Sequence, residues 1–110
     1  MIDYITLPLF SLLIETKEIP LTQGQVAIVS AIDYEWLVQW KWYAYKPKNS
    51  ATYYSQRTMT VNGKRTNVQM HRLILGTEPG MEVDHRDGNG LNNTRQNLRP
   101  ATHAQNMRNI

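Results

Sequence analysis

The pattern of apolar and polar positions changes period several times along the chain, and each change marks an element. The opening MIDYITLPLFSLLI is apolar almost throughout and stops at Glu15. It is too short to span a membrane and reads as a packed strand or a dimer contact. From Lys17 to Ser30, KEIPLTQGQVAIVS holds two short runs that predict strands turning at Thr22-Gln23-Gly24. Asp33 then reads as the N-cap of a short helix, DYEWLVQW, with Trp36, Leu37 and Trp40 at helical spacing and the core as their simplest destination.

KWYAYK and TYYSQRTMTV are rich in β-formers and separated by the turn cluster PKNSA. Asn62-Gly63, between TMTV and KRTNVQM, is a strong hairpin signal, so residues 41–70 are expected to form a three-stranded antiparallel meander. Alternation along the last strand puts Arg65, Asn67 and Gln69 on one face and Thr66, Val68 and Met70 on the other. Grouped with Arg57 and Lys64, that first face suits a phosphate backbone or a groove, and equally suits plain water.

MHRLIL predicts a short helix ended by Gly76, with Pro79-Gly80 turning the chain. MEVDH starts a strand, DGNG and LNNT supply loops, and NLRPA offers a second strand. Thr102 caps a closing helix, THAQNMRNI, on which His103, Asn106 and Arg108 project. The expected architecture is α+β: a small antiparallel meander with a short helix, then a strand, loop, strand, helix unit. Within one compact domain the parts are an apolar segment (1–16), a basic β-rich part (17–69) and the C-terminal unit (70–110).

Composition and charge narrow the function. With 41% hydrophobic residues, three Trp and six Tyr in 110 residues, the chain is a folded protein rather than a disordered one. The absence of cysteine excludes disulfides and zinc-cysteine sites and suits a reducing cytoplasm. Asp3 stands where a signal peptide wants basic residues. The net charge is only +3, but residues 36–77 hold seven bases (Lys41, Lys46, Lys48, Arg57, Lys64, Arg65, Arg72) and no acid. Interleaved with Trp and Tyr, that stretch is the footprint of a polyanion binder, and on charge alone a solvated basic face is an equal reading.

The chemistry concentrates in MEVDHRDGNGLNNTRQNLRPATHAQNMRN. Counting from Asp84 or from Asp87 puts Asn rather than Gly at the sixth position, so neither register makes a calcium loop, and no Gly-Lys-Ser/Thr follows the glycines to make a phosphate cradle. What remains is Asp84-His85 at a strand end, followed after two turns by a helix carrying Asn106. A carboxylate and a carboxamide oxygen suit one hard divalent ion of the Mg²⁺ type, with Mn²⁺ able to substitute. A histidine beside such an ion can take a proton from water, and metal plus base is the pairing that cuts a phosphodiester. Strict alternation sends Asp84 and His85 to opposite faces, so the strand must end, bulge or twist there.

The run V-D-H-R-D-G-N-G-L-N-N, then Q-N-L-R, then A-T-H-A-Q-N resembles the HNH motif of the His-Me finger (ββα-metal) nucleases, of the small phage and homing-endonuclease type. MHRLILG is similar to the lead-in segment of many of these proteins, so the likeness covers residues 70 to 109. It implies a C-terminal ββα-metal finger with His85 as general base, Asp84 and Asn106 as metal ligands, and Asn97 as the middle Asn that pins the loop and orients the histidine strand. The implied activity is metal-dependent hydrolysis of double-stranded DNA, nicking as a monomer and cutting both strands as a homodimer through the N-terminal apolar segment. The basic β-rich part resembles the DNA-binding sheets attached to some homing-type HNH proteins. Candidate DNA contacts are Arg57, Lys64, Arg65, His71, Arg72, Arg86, Arg99, His103 and Arg108, with Arg95 a further candidate for phosphate neutralisation. His71 is balanced between packing and DNA contact, and His103 is not counted as a ligand. Asn89, Asn92 and Asn93 are expected to serve turns through left-handed φ and side-chain capping. The rival from another class is a DNA-binding module whose finger is inactive, and an RNA or branched substrate is a third reading.

Overall fold

The computed structural model of the protein describes residues 6–76 and 78–108, and of residues 6–8 and 106–108 the backbone alone. The described chain is α+β, with small, mostly antiparallel sheets and short helices. Strands β1 (Thr16–Pro20) and β2 (Val26–Ser30) pair antiparallel from Thr16↔Ser30 to Pro20↔Val26. β2 turns Ala27 and Val29 fully inward. Its other edge takes β7 (Asn92–Asn93), which runs parallel to it with Ile28 opposite Asn92 and Val29 opposite Asn93. Two asparagines carry no β signal, so tertiary context alone makes this strand.

Two helical expectations change. The segment read as an N-terminal strand contains helix α1 (Thr6–Ile14) instead. A short continuous apolar run has no period that separates strand from helix, and Pro8 falls in the first turn, where a missing N–H costs nothing. Helix α2 (Ala31–Leu37) begins after Ser30, so Asp33 is inside the first turn and is not the cap. Ser30 forms no side-chain cap either, because its Oγ accepts from the Arg95 N–H at 2.9 Å.

Strands β3 (Tyr43–Tyr45), β4 (Tyr54–Val61) and β5 (Lys64–Gln69) form an antiparallel sheet in chain order. Asn62 and Gly63 both have positive φ (51° and 77°), as a two-residue I′ hairpin turn requires. Register sorts the faces. Thr58 lies opposite Asn67, Gln56 opposite Gln69 and Thr60 opposite Arg65, so the even positions of β4 share a face with Arg65, Asn67 and Gln69. Arg57 lies opposite Val68 and Lys64 opposite Val61, which puts both on the other face. The expected grouping of Arg57 and Lys64 with Arg65, Asn67 and Gln69 is therefore wrong. Arg57 instead stacks its guanidinium over the Trp40 ring, 4.1 Å from the centroid.

Helix α3 (Met70–Leu75) follows β5 directly and ends at Gly76, whose N–H closes on the Arg72 carbonyl. Strands β6 (Glu82–His85) and β8 (Leu98–Ala101) pair antiparallel, with His85 opposite Leu98. Helix α4 (His103–Arg108) opens on a reciprocal cap: Gln105 N–H donates to Thr102 Oγ1, and Thr102 N–H to Gln105 Oε1. The core gathers Ile19, Ala27, Val29, Leu37, Trp42, Met70, Ile74, Val83 and Leu98. Burying side chains such as Leu37 and Met70 contributes about 1.5–3 kcal/mol each. Met70 and Ile74 make α3 the element on which the N- and C-terminal halves meet.

Candidate active site

An open cleft of about 830 Å³ lies between the loop before β4 and the β6 strand, over α3. Both Asp84 and His85 line it, although alternation along β6 leaves Asp84 half-buried and His85 buried. The strand ends at His85, and the chain turns at once, the Gly88 N–H closing on the His85 carbonyl at 2.9 Å.

His85 is held on three sides. Its ring lies 4.8 Å from that of His71 on α3 and 5.8 Å from that of Tyr54 on β4, centroid to centroid. Its Nε2 is 2.8 Å from Asn93 Oδ1. A carboxamide oxygen only accepts, so Nε2 carries the proton and Nδ1 keeps the lone pair in the neutral ring. The other end of the amide is fixed too, Asn93 Nδ2 donating to Met70 Sδ at 3.3 Å. Burial pushes the His85 pKa below its ordinary value, against the opposing pull of the Asn93 hydrogen bond and of Asp87 and Asp84. The imidazole is therefore neutral at physiological pH, the form a base needs.

Asn93 was expected to serve a turn, and it does not. It is fully buried, sits in β7 and holds His85. Nor do Asn89, Asn92 or Asn93 adopt left-handed φ; among the described non-glycine residues only Gln23, Asn49 and Asn62 do. Asn89 and Asn92 serve the loop through their side chains, Asn89 Oδ1 accepting from the Leu91 N–H and Asn92 Oδ1 from Thr94. No pattern in the sequence separates Asn93 from its neighbours.

Asn97 spans the same loop. Its Nδ2 donates to Asp87 Oδ1 (2.9 Å) and the Asn92 carbonyl (2.7 Å), while its Oδ1 accepts from the Asp87 N–H (3.0 Å). Burial raises the Asp87 pKa, but hydrogen bonds from Asn92, the Asn89 N–H and Asn97 outweigh it and hold the carboxyl below the usual range. Residues 86–97 are thus cross-tied just behind His85.

The remaining candidates separate. Asp84 Oδ2 pairs with Arg99, 2.8 Å from Nε and 2.7 Å from Nη2. Glu82, two residues back on β6 and also on the cleft, pairs with His103 at 2.7 Å. His71 is buried in the cleft wall with Nδ1 unpartnered among the described residues, and burial, His85 and Arg72 lower its pKa to about 3. Arg72 also lines the cleft, and Arg65 and Arg86 are exposed. Arg95, expected to neutralise phosphate, forms a two-pronged ion pair with the buried Asp33, 2.8 Å at each prong. The side chains of Asn106 and Arg108 lie outside the described residues.

Among the described residues no three His, Asp or Glu side chains gather into a metal cage. The donor chemistry at the cleft is carboxylate oxygen from Asp84, beside a buried neutral imidazole. That set fits a hard divalent ion taking few protein ligands rather than a closed zinc site. No described helix is long and apolar enough to cross a membrane.

A strand ending in Asp-His, a cross-tied asparagine loop and a returning strand that leads into a helix make up the candidate site. Residues 68–108 match the family model described as HNH endonuclease. No curated protein and no solved structure matches the chain.

Proposed function

We propose that the protein is a metal-dependent endonuclease of the small phage and homing type that hydrolyses double-stranded DNA inside the cell. The observation that carries this is His85: buried, neutral, with its Nε2–H tied to Asn93, it presents Nδ1 as a base on a cleft that also holds Asp84. His85 takes the proton of the attacking water. The water oxygen bonds to phosphorus as the P–O bond to the 3′ oxygen breaks, and the leaving 3′ oxygen takes a proton from solvent, which gives a 5′-phosphate and a 3′-hydroxyl. Asp84 and Asn106 would hold one divalent ion, Mg²⁺ or Mn²⁺, which would supply charge stabilisation to the phosphate and the leaving oxygen. Asn97 keeps the loop, and with it the end of β6, in place. In this reading β6, β8 and α4 are the ββα-metal finger.

One such site cuts one strand, so a monomer nicks. Cutting both strands calls for two copies, and helix α1, with Leu9, Phe10 and Ile14 half-exposed or more, is the surface proposed for pairing. A light-scattering mass tests that part.

Plasmid nicking with Mg²⁺ or Mn²⁺, with and without EDTA, tests the reading beside His85→Ala. The wild type nicks only with metal, and His85→Ala falls by on the order of 10² or more. One observation favours the rival: Arg99 already pairs with Asp84, where a metal would sit. If wild type and His85→Ala leave supercoiled plasmid equally intact while both bind DNA, the protein is a binding module with an inactive finger.

A further inference from the structure

The β4–β5 ribbon offers two faces to a substrate, and the cations favour one while the cleft favours the other. The face carrying Arg57 and Lys64 turns away from the cleft at its base, where Ser55 is fully buried and Arg57 lies over Trp40. The opposite face begins inside the cleft. Tyr54, an even position of β4, contributes to the cleft wall against His85. Gln69 and Arg72 line the cleft and also line a second open groove of about 530 Å³, which continues over Tyr45, Gln56 and Asn67. The two hollows therefore adjoin at Gln69 and Arg72, and together mark a path along this face.

The path has a chemistry of its own. Gln56 and Asn67, which line the groove, are the ends of a hydrogen-bonded row on this face: Gln56 Nε2 donates to Tyr43 Oη, which lies 3.0 Å from Thr58 Oγ1, and Thr58 Oγ1 donates to Asn67 Oδ1. Among the described residues the side chains of Arg65, Gln69 and Arg72 make no hydrogen bond or ion pair. From Thr60 to Asn67 the ribbon is exposed on both faces and carries no partner layer. Amide and guanidinium groups on a two-stranded ribbon match the donors and acceptors on base edges in the major groove, which is wide enough to admit such a ribbon.

We propose that the β4–β5 ribbon enters the major groove of the DNA duplex flanking the cut, with Asn67, Gln69 and Arg65 facing base edges and Arg72 on the phosphate between groove and cleft. This rests on the nuclease reading above and makes the hairpin, rather than the more cationic opposite face, the determinant of where the enzyme cuts. Two of the three base-facing groups, Asn67 and Gln69, are neutral amides, which discriminate sequence without adding charge.

The test uses the full chain and two readouts. Binding to a random-sequence 40-base-pair duplex pool is measured in EDTA, and cut positions on a plasmid are mapped with Mn²⁺. The double variant Asn67→Ala/Gln69→Ala should bind the pool's selected sequences about 10-fold or more weakly and cut with a flattened position preference. Thr66→Ala, exposed on the opposite face, should match the wild type. Methylation of guanine N7, which blocks the major groove, should interfere within one helical turn on one side of the cut. Unchanged binding and cut positions in the double variant overturn the proposal, and so does a wild type that binds no duplex. If the wild type binds and the double variant does not, but neither nicks, the groove stands and the nuclease reading falls.

Discussion

The imidazole of His85 meets three side chains from three separate parts of the chain: Tyr54 at the start of β4, His71 on α3, and Asn93 on β7. Asn93 decides the tautomer. Replacing it by leucine of similar size removes the acceptor for Nε2–H and lets the ring choose either tautomer, so Asn93→Leu should lose about 10- to 100-fold in nicking rate at saturating DNA. A single-turnover assay on saturating plasmid checks this. His71 makes a separate prediction about stability. Its pKa is about 3 in the folded state against 6.5 when unperturbed, because burial opposes its charge. Between those values the unfolded chain binds the proton and the folded chain does not, so stability is present above pH 6.5 and falls as the pH drops towards 3. The loss is roughly 1.4 kcal/mol per pH unit. Denaturant titrations from pH 4 to 7 read that slope, and His71→Gln should flatten it.

At the scale of elements, the loop between β6 and β8 backs the candidate site, and glycine at one position lets it sit against the hairpin. A Cβ on Gly90 would overlap the Tyr53 carbonyl and approach Tyr54 Cδ1 to 2.7 Å, while the Gly90 N–H donates to Thr52 Oγ1 at 2.9 Å. The loop thereby presses on Tyr54, which in turn packs on His85. Gly90→Ala should cost about 1–3 kcal/mol through overpacking and lower nicking by displacing Tyr54, measurable as a lower denaturation midpoint with reduced activity. The turn signals around it were legible: Asn62-Gly63 closes the hairpin, Gly76 ends α3, and Thr102 opens α4. The N-terminal helix was not, since an apolar run without periodic polar positions fits either element.

Across the whole molecule, Arg95 ties the C-terminal unit to α2. Its guanidinium meets Asp33, 1% exposed, and its backbone N–H meets Ser30, so the loop after β7 is anchored to residues more than sixty positions earlier. Arg95→Ala would leave the Asp33 carboxylate buried with the Trp36 indole N–H, 3.0 Å away, as its remaining side-chain donor among the described residues. The cost should be about 1–3 kcal/mol, below the range for fully buried pairs because Arg95 is itself partly exposed, and thermal unfolding measures it. The sequence by itself determined the hairpins, the caps at Gly76 and Thr102, the α+β class and the Asp-His, Asn and Thr spacing of the candidate site, because each rests on neighbours within a few positions. Only the tertiary structure decided that Asn93 holds His85, that Arg95 is structural, and that Arg57 and Lys64 face away from Asn67. Those depend on strand register and on contacts between residues far apart in the chain, for which local pattern carries no information.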